Sequence, residues 1–289
     1  MHKVSIEQWR MFVAVVEAGG FAAAGDTLFK TQTAISHGIK KLEQNLNKPL
    51  FEIKGRRAEL TSFGHSLLPA ARQLIGSAEQ LERQAVSQPD LLRKQLSIAL
   101  DILYPVTTFY AAAKQFSVLY PDYNLDIHQT CLSRAAELLE DGKVQFAIAS
   151  RLPAGCISHS VYDAHLMLVC HAQHPLSGIK QLQLNDLKAS TQVVIRDAGV
   201  RRVVDSGWLG CPNRFIVADM QQALQAVLAQ CGFAWLPCWL AEPYVQNQQL
   251  CALQLEQGHK RVVQLQFGYY ENEANNQALH KLIALLDSH

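Results

Sequence analysis

The chain has 289 residues, of which 49% are hydrophobic and 18% charged, with a formal net charge of +1. This length predicts a soluble, globular protein of two or more domains. No apolar run reaches membrane length, and the N-terminus lacks the apolar core of a secretory signal, which excludes a membrane protein and favours a cytoplasmic location. The seven cysteines are scattered, which predicts reduced thiols and neither a disulfide framework nor a zinc motif.

Positive charge is concentrated near the N-terminus. Residues 1–66 carry nine Lys or Arg and six Asp or Glu, whereas residues 67–289 carry seventeen and nineteen. The excess is sharpest between Lys30 and Arg57, where seven cations accompany two acidic residues. Phosphate contacts need a local excess of this kind, so the N-terminal part is predicted to bind nucleic acid.

The first predicted element is an amphipathic helix. Apolar residues recur at helical spacing from Ile6 to Val16, and Ser5 is suited to cap the first turn. The pair Gly19 and Gly20 ends the pattern. We expect this helix to be scaffold.

Residues 19–51 predict two short helices around a tight turn, the arrangement in which the second helix enters the major groove of DNA. One face of that second helix is apolar and is predicted to be buried, with Ala34, Ile35, Ile39, Leu42 and Leu46 on it. The start of the helix carries side chains that bond base edges, although Thr31 is also suited to cap it. The residues predicted to contact bases are Thr31, Gln32, Thr33, Ser36 and His37.

A strand–turn–strand wing is predicted after Pro49. The segment LFEIKGRRAEL alternates apolar and polar residues about Gly55. Cations of the wing and of the preceding helix are predicted to contact backbone phosphates, and a solvated surface charge is the alternative for each of them. These residues are Lys40, Lys54, Arg56 and Arg57.

A long helix is predicted from Phe63 to about Val86, with a linker at residues 88–90. Leucine alternates with alanine along it at steps of four and three residues, a heptad seam that favours pairing with a second copy of the helix. Packing against the chain's own core is the alternative. The seam consists of Leu67, Ala71, Leu74, Ala78, Leu81 and Ala85.

Short apolar runs alternate with helical patterns beyond the linker. This alternation predicts parallel sheets in two doubly wound subdomains, with a ligand cleft between them. The predicted strands are 96–100, 125–127, 146–149, 166–170, 193–195 and 233–236, and the predicted helices are 107–119, 134–139, 220–229 and 276–286.

A long series of N-terminal residues stands at the fixed spacing of one family pattern. The series is Gly19, Phe21, Ala23, Ala24, Leu28, Gln32, Ala34, Ile35, Ser36, Ile39, Leu42, Glu43, Leu46, Pro49, Leu50, Phe51, Leu60, Thr61 and Gly64. With it, the first ninety residues resemble a LysR-type transcriptional regulator. The remainder is similar to the periplasmic-binding-protein-like effector domain of that family. Residues 171–178 and 231–237 are its clearest local sequence matches.

The chain departs from the family pattern at four positions. Lys30 replaces an apolar residue and Gly25 replaces an alanine. Gly38 inside the helix costs up to ~1 kcal/mol relative to alanine. His37 stands where arginine is common, so its contact with a base depends on the charge of the imidazole.

The resemblance implies an α/β fold class with an N-terminal winged helix-turn-helix, a long linker helix, and a C-terminal effector domain of two doubly wound α/β subdomains. The implied domains are residues 1–62 for DNA binding, 63–89 for the linker and dimerisation helix, and 90–289 for effector binding. Subdomain I is placed at about 90–161 and 268–289, and subdomain II at about 162–267.

The resemblance also implies where the effector binds: after the first and second strands of its domain and against facing loops of subdomain II. The first of these segments departs from the family pattern, because Ile102 and Leu103 beside Asp101 replace a common Ser or Thr. A carboxylate at a helix start repels anions. The arginines, Arg202 among them, favour a carboxylate ligand, with surface ion pairs as the alternative. The implied residues are Asp101, Leu103, Tyr104, Thr130, Ser133, Ser150, Arg151, Arg196 and Arg201.

Other chemistries find less support. The irregular spacing of His165, His171 and His174 favours structural roles over a metal site. No catalytic motif is present, so we expect neither an enzyme nor a cofactor. Two alternatives stay open: a redox-responsive regulator switched by Cys211, Cys231 and Cys238, and a solute-binding receptor, which would need export.

The sequence therefore predicts a homodimeric or homotetrameric transcriptional regulator whose geometry responds to a small molecule. Its predicted partners are double-stranded DNA, an unidentified effector and further copies of itself, with RNA polymerase as an additional candidate and no membrane. Coupling between effector and DNA requires that two arrangements of the effector domain differ in affinity for the effector.

Overall fold

The computed structural model describes residues 4–54, 57–86, 94–201, 204–205, 207–256 and 261–288, with only the backbone described at residues 53, 54, 57, 80 and 83–86. The chain divides into two compact units. Unit 1 consists of residues 1–92 with 140–143, and unit 2 consists of residues 93–139 with 144–289. The predicted domain boundaries stay a prediction.

Unit 1 contains four helices and a hairpin within its described part. The Ser5 hydroxyl accepts a hydrogen bond from Gln8 N at 3.3 Å while the Gln8 side chain accepts one from Ser5 N at 2.9 Å, which caps the first helix as predicted. The elements are α1 (Ile6–Glu17), α2 (Phe21–Leu28), α3 (Gln32–Leu46), β1 (Phe51–Lys54), β2 (Arg57–Leu60) and α4 (Ser62–Val86). Phe12, Ile35, Leu42 and Leu50 are fully buried at the centre of the unit.

Two glycines let the helices of unit 1 approach closely. A Cβ at Gly25 would lie 2.7 Å from the carbonyl oxygen of Lys30, so the tight turn between α2 and α3 leaves no room for the alanine of the family pattern. A Cβ at Gly38 would collide with Met11 Sδ. Met11 thus packs directly on α3 at a glycine that is unfavourable by helix propensity.

The predicted seam of α4 divides into two parts. Leu67 and Ala71 pack on the core of unit 1, which is the alternative that the sequence left open. Leu74 and Leu81 are 42% and 67% exposed. Ala78 is half-buried, and the side chain of Ala85 lies outside the described residues. The part of the seam that is exposed is therefore its later part, and pairing with a second copy stays a prediction.

Unit 2 is a mixed α/β structure. Its strands are β3 (Lys94–Asp101), β4 (Tyr123–Thr130), β5 (Phe146–Ala149), β6 (Ile157–His171), β7 (Gln192–Ile195), β8 (Arg214–Val217), β9 (Phe233–Pro237), β10 (Leu250–Ala252) and β11 (Arg261–Tyr269). Its helices are α5 (Val106–Leu119), α6 (Arg134–Glu140), α7 (Leu184–Leu187), α8 (Met220–Leu228), α9 (Cys238–Gln246) and α10 (Gln277–Asp287), with 3-10 turns at Pro175–Gly178 and Glu271–Glu273.

The strands are joined in the order β4-β3-β5-β11-β6-β9-β7-β8, with β10 beside β6. Pairing is parallel among β3, β4 and β5 and among β7, β8 and β9, as predicted. It is antiparallel wherever β6 or β11 takes part, so the prediction of purely parallel sheets is wrong there. The two long strands run side by side through the middle, with an irregularity of register between Leu265 and Gln266 of β11.

Separate cores lie at the two ends of this sheet. Subdomain I packs α5 and α10 on its strands around Phe109, Phe146 and Phe267. Subdomain II packs α8 on β7 and β9 around Leu224 and Leu236. Strands β6 and β11 are shared by both subdomains.

Candidate nucleic-acid interface and ligand cleft

Helix α3 exposes a polar face opposite its buried one. Ile35, Ile39 and Leu42 are buried at steps of four and three residues. Ala34 is exposed, in contrast to the prediction, because it shares a helical face with His37 and not with Ile35. The residues predicted to contact bases or phosphates are exposed together: Thr31, Gln32, Thr33, Ser36, His37 and Lys40.

Thr31 has a role within the protein. Its Oγ1 accepts a hydrogen bond from Ala34 N at 3.2 Å and caps α3. This is the alternative that the sequence left open for Thr31, and contact of its exposed side chain with DNA stays a prediction.

Glu43 and Thr61 fix the wing. Glu43 Oε1 accepts hydrogen bonds from Leu50 N at 2.7 Å and from Phe51 N at 3.1 Å, which ties the start of β1 to α3. The Thr61 hydroxyl donates to Pro49 O at 2.8 Å. The sequence pattern contains both residues but assigns neither a role. Their contacts hold the hairpin at a set position beside α3.

The basic residues of this region differ in their surroundings. Lys54 and Arg57 oppose each other at the ends of β1 and β2, but their side chains, and the whole of Arg56, lie outside the described residues. Lys30 forms an exposed ion pair with Glu7 at 3.3 Å. Lys48 lies over the ring of Phe63 at 4.8 Å. Phosphate contacts of the four predicted cations stay a prediction.

A cleft with a cavity volume of about 130 Å³, partly open to solvent, lies between the subdomains of unit 2. Subdomain I lines it with Asp101, Ile102, Leu103, Cys131, Leu132 and Ser150; the shared strands line it with Leu166, Arg261 and Val263; subdomain II lines it with Gln192–Ile195, Trp208, Leu209, Met220, Ala223, Ala234 and Trp235.

Asp101 is a buried carboxylate in the wall of the cleft. It is 3% exposed and accepts a hydrogen bond from Leu103 N at 2.9 Å. Burial raises its pKa to about 7, against the lowering effect of that hydrogen bond. Among the residues that the structure describes, no cation forms an ion pair with it. Thr130, its register partner on β4, has a buried hydroxyl without a hydrogen-bond partner in the same described set.

Gln192 is a buried amide in the opposite wall, 3% exposed at the start of β7. Its Nε2 donates to Trp208 O at 2.8 Å, whereas its Oε1 has no hydrogen-bond partner within the described part of the chain. Gln192 was not predicted from the sequence. The available signal was a lone amide at the start of the apolar run VVI.

Hydrogen bonds join the subdomains beside the cleft. The Asp197 carboxylate accepts from Ser133 N at 3.0 Å and from the Ser133 hydroxyl at 2.8 Å. Burial acts to raise the pKa of Asp197, but hydrogen bonds from Gly199, Ser133 and Val204 lower it overall.

Glu137 and Trp239 make further bridges. The buried Glu137 carboxylate accepts from Val200 N at 2.9 Å and Arg201 N at 2.8 Å. The indole of Trp239 donates to Leu103 O at 3.1 Å. We call the contacts of Ser133 and Glu137 with residues 197–201 the α6 bridge.

Three of the nine residues predicted to bind an effector line the cleft, namely Asp101, Leu103 and Ser150. Ser133 and Arg201 belong to the α6 bridge, and Thr130 is buried beside Asp101 on the neighbouring strand. The other three lie elsewhere. Tyr104 is buried in the core of subdomain I, 5.6 Å from the ring of Tyr162, while Arg151 and Arg196 are exposed. Contact with an effector stays a prediction for all of them, and Arg202 is not described.

The candidate redox cysteines are free thiols. Burial raises the pKa of Cys211 and of Cys238, which keeps them protonated. A further pair, Cys170 and Cys251, which was not predicted as a redox pair, lies opposed on β6 and β10. Burial raises the pKa of Cys170 to about 12, so this thiol stays protonated.

The histidines of the candidate metal motif act within their own turns. His171 Nδ1 accepts from Gln173 N at 3.1 Å and His174 Nδ1 from Leu176 N at 3.2 Å. No group of three or more His, Cys, Asp or Glu able to hold a metal ion occurs among the described residues. None of the described helices is long and apolar enough to cross a membrane.

Comparisons with known proteins cover both units. Residues 6–65 match the bacterial regulatory helix-turn-helix proteins of the lysR family, and residues 89–289 match the LysR substrate binding domain. The chain is 27% identical over 253 residues to the probable HTH-type transcriptional regulator YhaJ of Escherichia coli K12, covering 86% of this chain and 85% of that protein.

Two solved structures share the fold. Full-length LysG from Corynebacterium glutamicum with bound effector Arg has a TM-score of 0.57 at 17% identity, covering 99% of this chain and 97% of that one. ArgP from Mycobacterium tuberculosis has a TM-score of 0.57 at 21% identity, covering 97% and 95%.

Proposed function

Since this chain belongs to the LysR family of DNA-binding transcriptional regulators with an effector-binding domain, we propose that α3 reads bases, that the wing contacts phosphates, and that a small molecule in the cleft alters the DNA complex. The observation that carries the proposal is the exposed polar face of α3, which is turned away from a packed core. Its side chains meet base edges without any rearrangement of that core.

Base reading is assigned first to Gln32, whose exposed amide is suited to bond adenine at two edge atoms. The test is footprinting on the DNA around the protein's own gene, followed by affinity measurements with Gln32→Ala. We expect a loss of about ten-fold or more on the preferred site, since a bidentate base contact contributes ~1 to 3 kcal/mol.

Gln44→Ala is the matched control, because Gln44 is an exposed glutamine near the other end of the same helix. It is expected to keep the affinity and the base preference. Equal behaviour of the two variants would remove Gln32 from the base-reading set.

Phosphate contacts are assigned to Lys40, Lys54, Arg56 and Arg57. Each lost contact is expected to lower the salt dependence of DNA binding by about one unit of slope, with a similar loss on every sequence. Lys180→Ala, which removes an exposed lysine of unit 2, is the control and is expected to leave the slope unchanged. A wild-type affinity that does not vary with salt would contradict these contacts.

The proposal includes self-association into a dimer or tetramer through the exposed part of the α4 seam. Two copies present two copies of α3, which suits a DNA site with dyad symmetry. We propose RNA polymerase as a further partner of the protein and the cytoplasm as its location.

A further inference from the structure

Two buried acceptors in the cleft have hydrogen-bonding capacity that the described residues do not use. Gln192 Oε1 has no hydrogen-bond partner there, and Asp101 has a single one, Leu103 N. Leaving a buried acceptor unpaired costs ~1 to 3 kcal/mol, and native proteins pair nearly all such groups. Because both residues line the same cavity, a ligand that donates hydrogen bonds satisfies both.

The charge around Asp101 favours a donor that is also cationic. The neighbouring thiol of Cys131 has a pKa raised to about 12, first by burial and then by the negative charges of Asp101 and Asp197. Asp101 and Asp197 thus place negative charge beside Cys131 on this wall. The cationic residue of the lining, Arg261, belongs to β11 and lies against the backbone of Gly207.

The rest of the cleft is mainly apolar. The indoles of Trp208 and Trp235 and the side chains of Leu166, Met220 and Val263 contribute to its walls. A cavity of this kind binds the apolar body of a small molecule, while a few polar groups fix its orientation.

We propose that the ligand of this cleft is an organic amine with an apolar body, which donates hydrogen bonds to the Asp101 carboxylate and to Gln192 Oε1. An organic acid without an amine binds this cleft less tightly, since its carboxylate would face Asp101. This inference rests on the proposed effector role of the cleft and names the chemical class of the effector.

The test compares three probes of similar size by titration calorimetry at pH 8: 2-phenylethylamine, 2-phenylethanol and 3-phenylpropionate. The amine is expected to bind about ten-fold or more tightly than the carboxylate, with the alcohol between them. Tighter binding of the carboxylate, or no binding of the amine at millimolar concentration, overturns the proposal.

Two variants assign the binding to the named acceptors. Asp101→Asn is expected to reduce amine binding by about ten-fold and to remove the discrimination against the carboxylate. Gln192→Met keeps the length of the side chain without its acceptor and is expected to weaken the amine and the alcohol alike. Thermal unfolding of each variant verifies folding, and Asp101→Ser is used if Asp101→Asn does not fold. Unchanged amine binding in both folded variants overturns the proposal.

DNA binding measured in parallel separates this inference from the proposed function. DNA binding by the wild type without amine binding overturns the ligand class alone. Amine binding that leaves the DNA complex unchanged supports the ligand class and overturns the coupling between cleft and DNA.

Discussion

Ionisation of Asp101 lowers the stability of the folded protein. Its pKa rises from 3.8 to about 7 because burial removes water from the carboxylate. The folded state therefore binds this proton more tightly than the unfolded state, and the contribution of Asp101 to stability is full below pH 4 and is lost as pH rises to about 7. A neutral side chain at this position would avoid the cost of burying a charge, so the carboxylate is not explained by stability of the fold.

The first prediction concerns this titration. Asp101→Asn is expected to raise the free energy of unfolding at pH 8, by at most about 4 kcal/mol, and to change it far less at pH 5. Chemical denaturation at the two pH values measures the difference. Asp122→Asn, at an exposed carboxylate, is the control and should show no comparable pH dependence. An equal effect of Asp101→Asn at both pH values would contradict the raised pKa.

Glu43 carries the second prediction. Its carboxylate holds two backbone N–H groups at the start of the wing, so Glu43→Ala is expected to lower the free energy of unfolding by ~1 to 3 kcal/mol and to weaken DNA binding. Glu43→Gln retains an acceptor oxygen and is expected to lose less. Denaturation and DNA titration measure both effects, and a Glu43→Ala protein with the affinity of the wild type would show that the wing needs no anchor.

At the scale of the elements, α4 combines two kinds of surface along one seam. Its first part packs inward at Leu67 and Ala71, and its later part exposes Leu74 and Leu81. A heptad pattern cannot separate these two uses, because both require apolar residues at the same spacing.

The third prediction follows from that division. Leu81→Glu is expected to shift the protein toward monomer, since a charge in a paired seam is costly, without reducing the stability of unit 1. Sedimentation velocity over a range of concentrations measures the assembly state. Ser77→Glu, at an exposed position of α4 outside the seam, is the control and should keep the wild-type state. An unchanged assembly in Leu81→Glu would exclude this surface.

Most buried strands and helices were predicted from the sequence, whereas exposed or interrupted elements were not. The central strand β11 was also missed, although Leu265 and Phe267 in it are fully buried. The predicted strand 166–170 is the buried end of β6, whose first half is polar and exposed from Ile157. Edge strand β8 was not predicted, because three of its residues are exposed. Helix α9 was not predicted, because Pro243 within it is typical of a helix end. Burial produces the pattern, so elements with little burial lack it.

At the scale of the whole molecule, the cleft was predictable in position and only partly in composition. Asp101 and Ser150 follow apolar strands, and the ends of such strands are where ligands bind in open α/β sheets. Gln192 and Trp208 enter the same wall through long-range pairing of β7 with β8 and β9, which no local pattern encodes.

The α6 bridge gives the fourth prediction. Asp197→Asn replaces a charged acceptor of four hydrogen bonds, so the amides of Gly199 and Val204 are expected to exchange with solvent roughly ten-fold faster or more. Hydrogen exchange followed by mass spectrometry measures this change. Asp219→Asn, which alters a helix cap on α8, is the control and should leave residues 197–204 unchanged. Equal protection in Asp197→Asn would show that the bridge does not hold this loop.

The two long strands constrain how the cleft can open. Strands β6 and β11 pass through both subdomains without a break in the described chain, so neither subdomain can move away as a free body. The register irregularity at Leu265 and Gln266 interrupts the pairing of the two strands, and irregularities of this kind bend a strand locally. A change in the bend at this position would rotate the two subdomains relative to each other, and the displacement would be largest at their far ends.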